Sequence, residues 1–246
     1  MLRTLFAISD IHLEFGVDTI TLLEKMPAAD ILVLAGDIGN ATKGLETIRD
    51  FLLTLKEKYS DVIFIAGNHE YYQCDYDRDK VIENLREIAT ETKTHFLQRE
   101  TKVIQGIEFI GTTMWSLIDK YAYESINDSR QNIFPTMIDY IGEFVDDFRF
   151  LRETLKLPSQ YPRVVITHHL PTHRLIHPKF SGNRINSGFY SNILDNLQVH
   201  GVKYWFSGHS HEYSKCTYGD MQCIVNPVGY PGEQRVSQLS LETRSI

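Results

Sequence analysis

Leu5-Phe6-Ala7-Ile8-Ser9-Asp10-Ile11-His12 carries a four-residue apolar run straight into a carboxylate and an imidazole. The run is short and bounded by polar residues, as a buried strand is. Two later stretches repeat the arrangement. Residues 31–35 run into Gly36-Asp37, and residues 62–66 run into Gly67-Asn68-His69-Glu70. Between them, residues 44–59 place Leu45, Ile48, Phe51, Leu52 and Leu55 on one helical face, and a further helix is expected over 79–90. Strand alternating with helix implies a parallel sheet with helices on both sides.

Further strands are expected at 101–105, 107–111, 164–167 and 204–207. A hairpin pairs 213–218 with 221–225 through Gly219-Asp220, a dipeptide suited to a tight turn. The sheet is therefore mixed, and the expected fold is α/β: a two-sheet mixed β sandwich flanked by helices. All of it is expected in one domain, residues 1–246. Residues 115–157 interrupt the pattern as a helical insert. Met137, Ile141, Phe144, Val145, Phe148, Leu151 and Leu155 follow helical spacing, while Asp139, Glu143, Asp146 and Glu153 occupy the other face. That acidic face would be repelled by anionic lipid. The plain reading is a helix packed on the core; the sharper one is a cap that shapes a substrate pocket. Another helix is expected near 188–197.

A chain of 246 residues suffices for one sizeable core, and 42% hydrophobic with 23% charged residues is ordinary for a globular protein. The formal charge of −7 argues against a broad basic footprint for DNA or RNA. Cys74, Cys216 and Cys223 are an odd set with no zinc-framework spacing; reduced thiols in a cytoplasmic chain are the expectation, although Cys216 and Cys223 could face each other across the hairpin. No apolar run reaches the ~20 residues of a membrane span.

The chemistry lies at the strand ends. After the strand at 164–167 comes His168-His169, and after 204–207 comes Gly208-His209-Ser210-His211. In open α/β sheets ligands bind outside the carboxyl ends of the strands. Five loops there each deliver Asp, His or Asn, the oxygen and imidazole donors that suit Mn, Fe or Zn. Gly36, Gly67 and Gly208 would let the backbone turn and approach an ion closely. Each motif alone has a plainer reading as a turn or helix cap; their order, each closing a strand, argues against coincidence.

The blocks Asp10-Ile11-His12, Gly36-Asp37, Gly67-Asn68-His69-Glu70, His168 and Gly208-His209-Ser210-His211 closely resemble the pattern of the calcineurin-like metallophosphoesterase superfamily. The resemblance implies two divalent metal ions, Mn2+, Fe or Zn2+. Asp10, His12 and His211 would bind the first ion; Asn68, His168 and His209 the second; Asp37 would bridge both. His69 and Asp37 would be the catalytic residues, with His69 contacting the phosphate or the leaving group. His168, which directly follows its strand, is preferred to His169 as ligand. Two cations ~3.5–4 Å apart can clamp the attacking and leaving oxygens of an in-line displacement and activate a water.

The implied activity is hydrolysis of a phosphomonoester or phosphodiester of a small molecule or nucleotide. The alternatives are a nuclease acting on DNA or RNA, disfavoured by the charge, and a non-catalytic scaffold, disfavoured because every expected position is filled. Gly67-Asn68-His69-Glu70 is similar to the protein phosphatase branch. That branch also has Gly-Asp-x-x-Asp-Arg-Gly and an Arg before its Gly-Asn-His-Glu, whereas Gly36-Asp37-Ile38-Gly39-Asn40 and Ala66 stand here, so both phosphate-binding arginines are missing. His173, His177, the loop 181–184 with Arg184, and Tyr71, Tyr72 and Tyr76 are candidate substrate contacts whose plainer readings are surface, loop and packing. His95 and His200 read as structural. Asn226-Pro227 and Tyr230-Pro231-Gly232 read as turns without chemistry.

Overall fold

In the computed structural model, which describes residues 2–233 and 239–246, the three opening runs form β1 (Thr4–Ile8), β2 (Ile31–Leu34) and β3 (Asp61–Phe64). They pair in parallel, Leu5 with Ile31 and Ile31 with Asp61, and β4 (His95–Phe96) extends the sheet. The connections are α1 (Thr19–Lys25), α2 (Leu45–Lys58) and α3 (Arg78–Thr92). Asp77 caps α3 by accepting from Lys80 N–H, which satisfies one of the open donors of the first turn. The short α1 was not foreseen.

The second sheet holds β5 (Glu100–Ile104), β6 (Ile107–Thr112), β7 (Arg163–Thr167), β8 (Val202–Ser207), β9 (Ser214–Tyr218) and β10 (Met221–Val225), in the order β5-β6-β7-β8-β10-β9. Its inner strands run parallel and its two edges antiparallel. β11 (Arg244–Ser245) pairs antiparallel with β1. Both sheets are thus mixed, and helices flank them.

Strand alternation divides the core in two. Leu5, Ala7, Val33 and Ile63 of the first sheet meet Phe109, Val164, Ile166 and Phe206 of the second. The alternate residues, such as Phe6, Leu32, Phe64, Val165 and Trp205, join a separate cluster with helical side chains, including Phe51, Leu52 and Leu85. At one edge Asn226 ties the sheets together: its Nδ2 donates to Ala7 O at 2.9 Å, and its carbonyl accepts from Ser9 N–H at 3.1 Å.

The insert contains α4 (Lys120–Ser125), a 3-10 turn at Asn127–Arg130 and α5 (Met137–Leu155), capped by Thr136. The buried face of α5 is Tyr140, Phe144, Asp147, Leu151 and Leu155, whereas Val145 is 41% exposed. The expected apolar stripe is therefore rotated, because a carboxylate sits in its middle. Asp147 is fully buried and accepts from Arg99 Nε (2.8 Å), Thr112 Oγ1 (2.6 Å) and Trp115 N–H (3.2 Å), fastening α5 to the end of β6. Asp147→Ala strands those donors and should destabilise the fold by about 2–3 kcal/mol. Urea unfolding checks this; a loss below about 0.5 kcal/mol would show that the tie is incidental.

The helix expected near 188–197 does not form. Only 3-10 turns at Asn186–Gly188 and Leu194–Asn196 occur there. Leu170 N–H donates to Phe189 O and Ser191 N–H to Leu170 O, so the loop after β7 takes the groups that a helix would need. Cys216 and Cys223 face each other in the β9–β10 register as free thiols.

Candidate metal centre

The loops leaving β1, β2, β3, β7 and β8 bring Asp10, His12, Asp37, Asn68, His168, His209 and His211 to one place. Asp37 belongs to two groups. Asp10, His12 and His211 each set a ligand atom within 4.8 Å of one another and of Asp37, and so do His168 and His209. Asp37 Oδ2 lies 3.3 Å from His168 Nε2 and 3.7 Å from His12 Nε2. Asn68 Oδ1 is 2.9 Å from His168 Nε2, and Asp10 Oδ1 is 3.5 Å from His211 Nε2.

The imidazoles are oriented from behind. His12 Nδ1 faces Glu14 Oε1 at 3.2 Å, His168 Nδ1 faces Ala35 O at 2.9 Å, and His211 Nδ1 faces Glu233 Oε2 at 3.2 Å. Each outer nitrogen then donates a proton to its oxygen partner, which leaves the inner Nε2 as the atom that would bind a cation once its own proton is lost. Two inner nitrogens, of His12 and His211, stand 3.0 Å apart. Lone pairs at that distance repel unless a cation or proton intervenes; donors about 2.1 Å from a single cation sit about 3 Å apart. His209 Nε2 is buried and finds no hydrogen-bond partner among the described residues. The residues present therefore fit divalent cations.

The backbone here is unusual. Asp10 (φ 54°), His12 (55°), Asp37 (53°), His209 (69°) and His211 (48°) all lie in the left-handed region. Side-chain-bearing residues there cost of order 1–3 kcal/mol each and persist only when their surroundings enforce them. The loops enforce one another: Asp10 N–H donates to Gly36 O at 3.0 Å and Ile11 N–H to Asp37 O at 2.8 Å, while Asp10 Oδ1 accepts from His209 N–H at 2.8 Å. At Gly36 (φ 87°) a Cβ would stand 2.6 Å from His168 Nδ1. At Gly67 it would stand 2.7 Å from Asp37 N, so close approach of two loops, not a left-handed turn, requires glycine there.

Glu70, quoted above only as the end of its motif, holds these loops. Its buried carboxylate accepts from Asp37 N–H (3.0 Å), Ile38 N–H (2.6 Å), Gly39 N–H (3.3 Å) and Gly67 N–H (2.6 Å). Burial, then the Asp37 charge, pushes its carboxyl up to about 8. Glu70→Gln turns an NH2 group toward two of those donors whichever way the amide lies. The expected cost is about 1–3 kcal/mol in stability and about 10–100-fold in metal affinity. Calorimetric melting and metal titration check it; an unchanged metal affinity would show that Glu70 does not set the position of Asp37.

His69 sits beside the centre. Its Nδ1 is 2.7 Å from Glu14 Oε1, its Nε2 is 3.2 Å from the Tyr230 hydroxyl, and its ring stacks on Tyr72 at 4.1 Å. Burial works against charging it, but Asp37 and Glu14 outweigh this and raise it to about 9. The same balance, burial against Asp37 and Asp10, raises His168 to about 10. A cation must displace that proton, so metal affinity rises with pH.

Glu14, Asp128, Tyr230 and Glu233 were missed. Asp128 belongs to the insert and is 3% exposed; its Oδ1 accepts from Asn68 Nδ2 and from the Tyr72 hydroxyl, both at 2.8 Å. That contact turns the Asn68 oxygen toward His168. Tyr230, in a stretch read as a turn without chemistry, lies 4.5 Å from the His12 ring and 4.4 Å from that of His211. Nothing local in the sequence marks either.

His169 packs on Trp115 and His209 at 5.3 and 4.2 Å and sets a ligand atom within 4.8 Å of those of His209 and Asp128 instead of joining the Asp37 groups; burial, then His168, holds it down to about 3. His173 is exposed and bonds Asn192, and His177 caps a 3-10 turn. Neither lines a cavity at the centre. Residues 181–184 are exposed, and Arg184 lies over the Tyr121 ring at 3.9 Å. Tyr71 is core, Tyr72 lines the site, and Tyr76 is 50% exposed.

A family model described as calcineurin-like phosphoesterase matches residues 3–213. An uncharacterized protein of Acanthamoeba polyphaga mimivirus is 27% identical over 268 residues, covering 95% of this chain and 93% of its own. Among solved structures, phosphopantetheinyl hydrolase from Mycobacterium tuberculosis superposes with a TM-score of 0.69 at 21% identity, covering 99% and 95% of the two chains. A dimetal phosphatase from Danio rerio gives 0.53 at 14% identity, covering 92% and 87%.

Proposed function

The chain belongs to the calcineurin-like phosphoesterase family and is a metal-dependent phosphoester hydrolase; on that premise we propose that it works with two divalent cations on a small phosphorylated molecule or nucleotide. The observation that carries this reading is the position of Asp37, shared between the group of Asp10, His12 and His211 and the group of His168 and His209. Asn68 joins the second group through its contact with His168. Manganese, iron or zinc suits this donor set. The whole chain acts as one domain. A cytoplasmic setting belongs to this reading; no described helix is long and apolar enough to cross a membrane.

When bound, the cations polarise the phosphoryl oxygens and lower the pKa of a water. The remaining work falls to side chains. Asp37 fixes the spacing of the two ligand groups. Glu70 holds the Asp37 and Gly67 loops at contact distance, and Asp128 turns the Asn68 oxygen inward. His69, beside the centre and held by Glu14, is placed to deliver a proton to the departing oxygen. Glu14 and the Tyr230 hydroxyl hold its ring in place.

Chelator-stripped protein should hydrolyse neither p-nitrophenyl phosphate nor bis-p-nitrophenyl phosphate. Added Mn2+ should restore turnover as two ions bind per chain. Turnover that survives chelation, or saturation at one ion, contradicts the reading.

A further inference from the structure

Cys216 and Cys223 stand directly opposite each other in the β9–β10 hairpin, on the face that packs against the helix-side core. Facing residues of an antiparallel pair have Cα atoms about 4.5 or 5.5 Å apart, and both separations fall within the roughly 4.4–6.8 Å that a disulfide spans. Facing side chains point to the same side of the sheet, and here the Cys223 thiol donates to Cys216 Sγ. A bond between the two sulfurs therefore needs side-chain rotation and no change of strand register. Neither cysteine lines a cavity at the metal centre.

The two thiols are unlike. β9 is the edge strand and Cys216 is half-buried on it, whereas Cys223 on the inner strand is fully buried. The 3-10 turn His173–Leu175 packs on both strands and brings Arg174 and His173 near Cys216. The Cys223 hydrogen bond, then Arg174 and His173, hold the Cys216 thiol down to about 7 although burial opposes them. The same hydrogen bond and burial push Cys223 up. The thiolate is the attacking species in disulfide exchange, so the reachable sulfur is also the nucleophilic one. Cys74 differs: it donates to Asn132 O, and burial raises it.

We propose that Cys216 and Cys223 form a redox-active dithiol: Cys216 is the site at which a low-molecular-weight disulfide such as glutathione disulfide reacts, and Cys223 resolves the adduct into a disulfide across the hairpin. The Cys216 thiolate attacks one sulfur of glutathione disulfide. That sulfur–sulfur bond breaks, and one glutathione thiolate leaves and takes a proton. Cys223 then loses its proton and attacks Cys216 Sγ in the mixed disulfide, expelling the second glutathione thiolate, which is protonated in turn. Two protein thiols are oxidised and one small disulfide is reduced to two thiols. Excess small thiol drives the same steps backwards.

The test exposes the reduced full chain to excess glutathione disulfide at neutral pH, quenches it in acid and maps the thiols by mass spectrometry. The wild type should lose the thiol hydrogens of Cys216 and Cys223, carry no lasting glutathione, and return to the dithiol in dithiothreitol. Cys223→Ala, which sets no hydroxyl in the core, should stop at a glutathione adduct on Cys216. Cys216→Ser should react at least about tenfold more slowly than wild type, since the thiol that remains is protonated and buried. A wild type that keeps its thiols, or holds glutathione on Cys216 without closing the ring, overturns the dithiol. So does a Cys216→Ser chain that reacts as fast as wild type, or a Cys74 modified as fast as Cys216. Should Cys223→Ala fail to fold, the wild-type map and Cys216→Ser decide between these outcomes.

Discussion

Asp37→Asn is expected to lower kcat/KM for phosphoester hydrolysis by about a thousandfold or more and to strip metal from the chain. The substitution keeps the shape and removes the charge. Asp37 Oδ1 accepts from His69 N–H at 2.8 Å, and an amide oxygen can do the same. The amide NH2 then falls where Oδ2 stood, 3.3 Å from His168 Nε2 and 3.7 Å from His12 Nε2. Burial alone would raise the Asp37 carboxyl, but His168 and His69 beside it hold it well below the usual carboxylate range, so it is an anion shared by both ligand groups. Losing it costs several kcal/mol of charge stabilisation, and each 1.36 kcal/mol is tenfold in rate. Elemental analysis and steady-state kinetics on the purified variant decide the matter. Retention of two ions with a rate within tenfold of wild type would mean that Asp37 does not bridge the groups.

His69→Ala should lower kcat by about 10²–10⁴ on an alkyl ester, whose alkoxide needs a proton to leave. On p-nitrophenyl esters the loss should be much smaller, because that leaving group departs as the anion. Metal content should stay near wild type. The pH profile carries the sign. Without cations Asp37 and Glu14 raise His69 to about 9, and wild-type kcat on the alkyl ester should fall on an alkaline limb as the His69 proton is lost. Cations bound at Asp37 neutralise the charge that raises His69, so the limb shifts to lower pH in the loaded enzyme. His69→Ala should lack this limb. Equal losses on both ester types, or an unchanged alkaline limb, would exclude the proton-donor role.

Much of this was legible along the chain. Runs such as 5–8, 31–35 and 62–66 announce buried strands, because a strand covered on both faces needs continuous apolar residues. The polar residue that ends each run is read in the same glance, so Asp10, Asp37, Asn68 and His168 could be named together. The helical period placed α2 and α3 within a few residues. It failed at 188–197, where Phe189, Tyr190, Ile193, Leu194 and Leu197 mimic a helical face but the backbone is claimed by the loop after β7. It was misled in α5, where a buried Asp147 replaces an apolar residue.

Local pattern alone placed the main strands, α2 and α3, and the residue types at the strand ends, since these are set by a few neighbouring residues. Only the tertiary structure decided that Glu70 takes up four backbone N–H groups, that Asp128 turns Asn68, and that Tyr230 reaches His69. These partners stand up to 161 positions apart. It also decided the cavities beside the centre, whose walls come from stretches as far apart as Glu14 and Pro231. Hydrogen bonds across such separations form only after the sheets pack face to face. An isolated Asp or Tyr in a loop looks the same whether or not a partner waits for it.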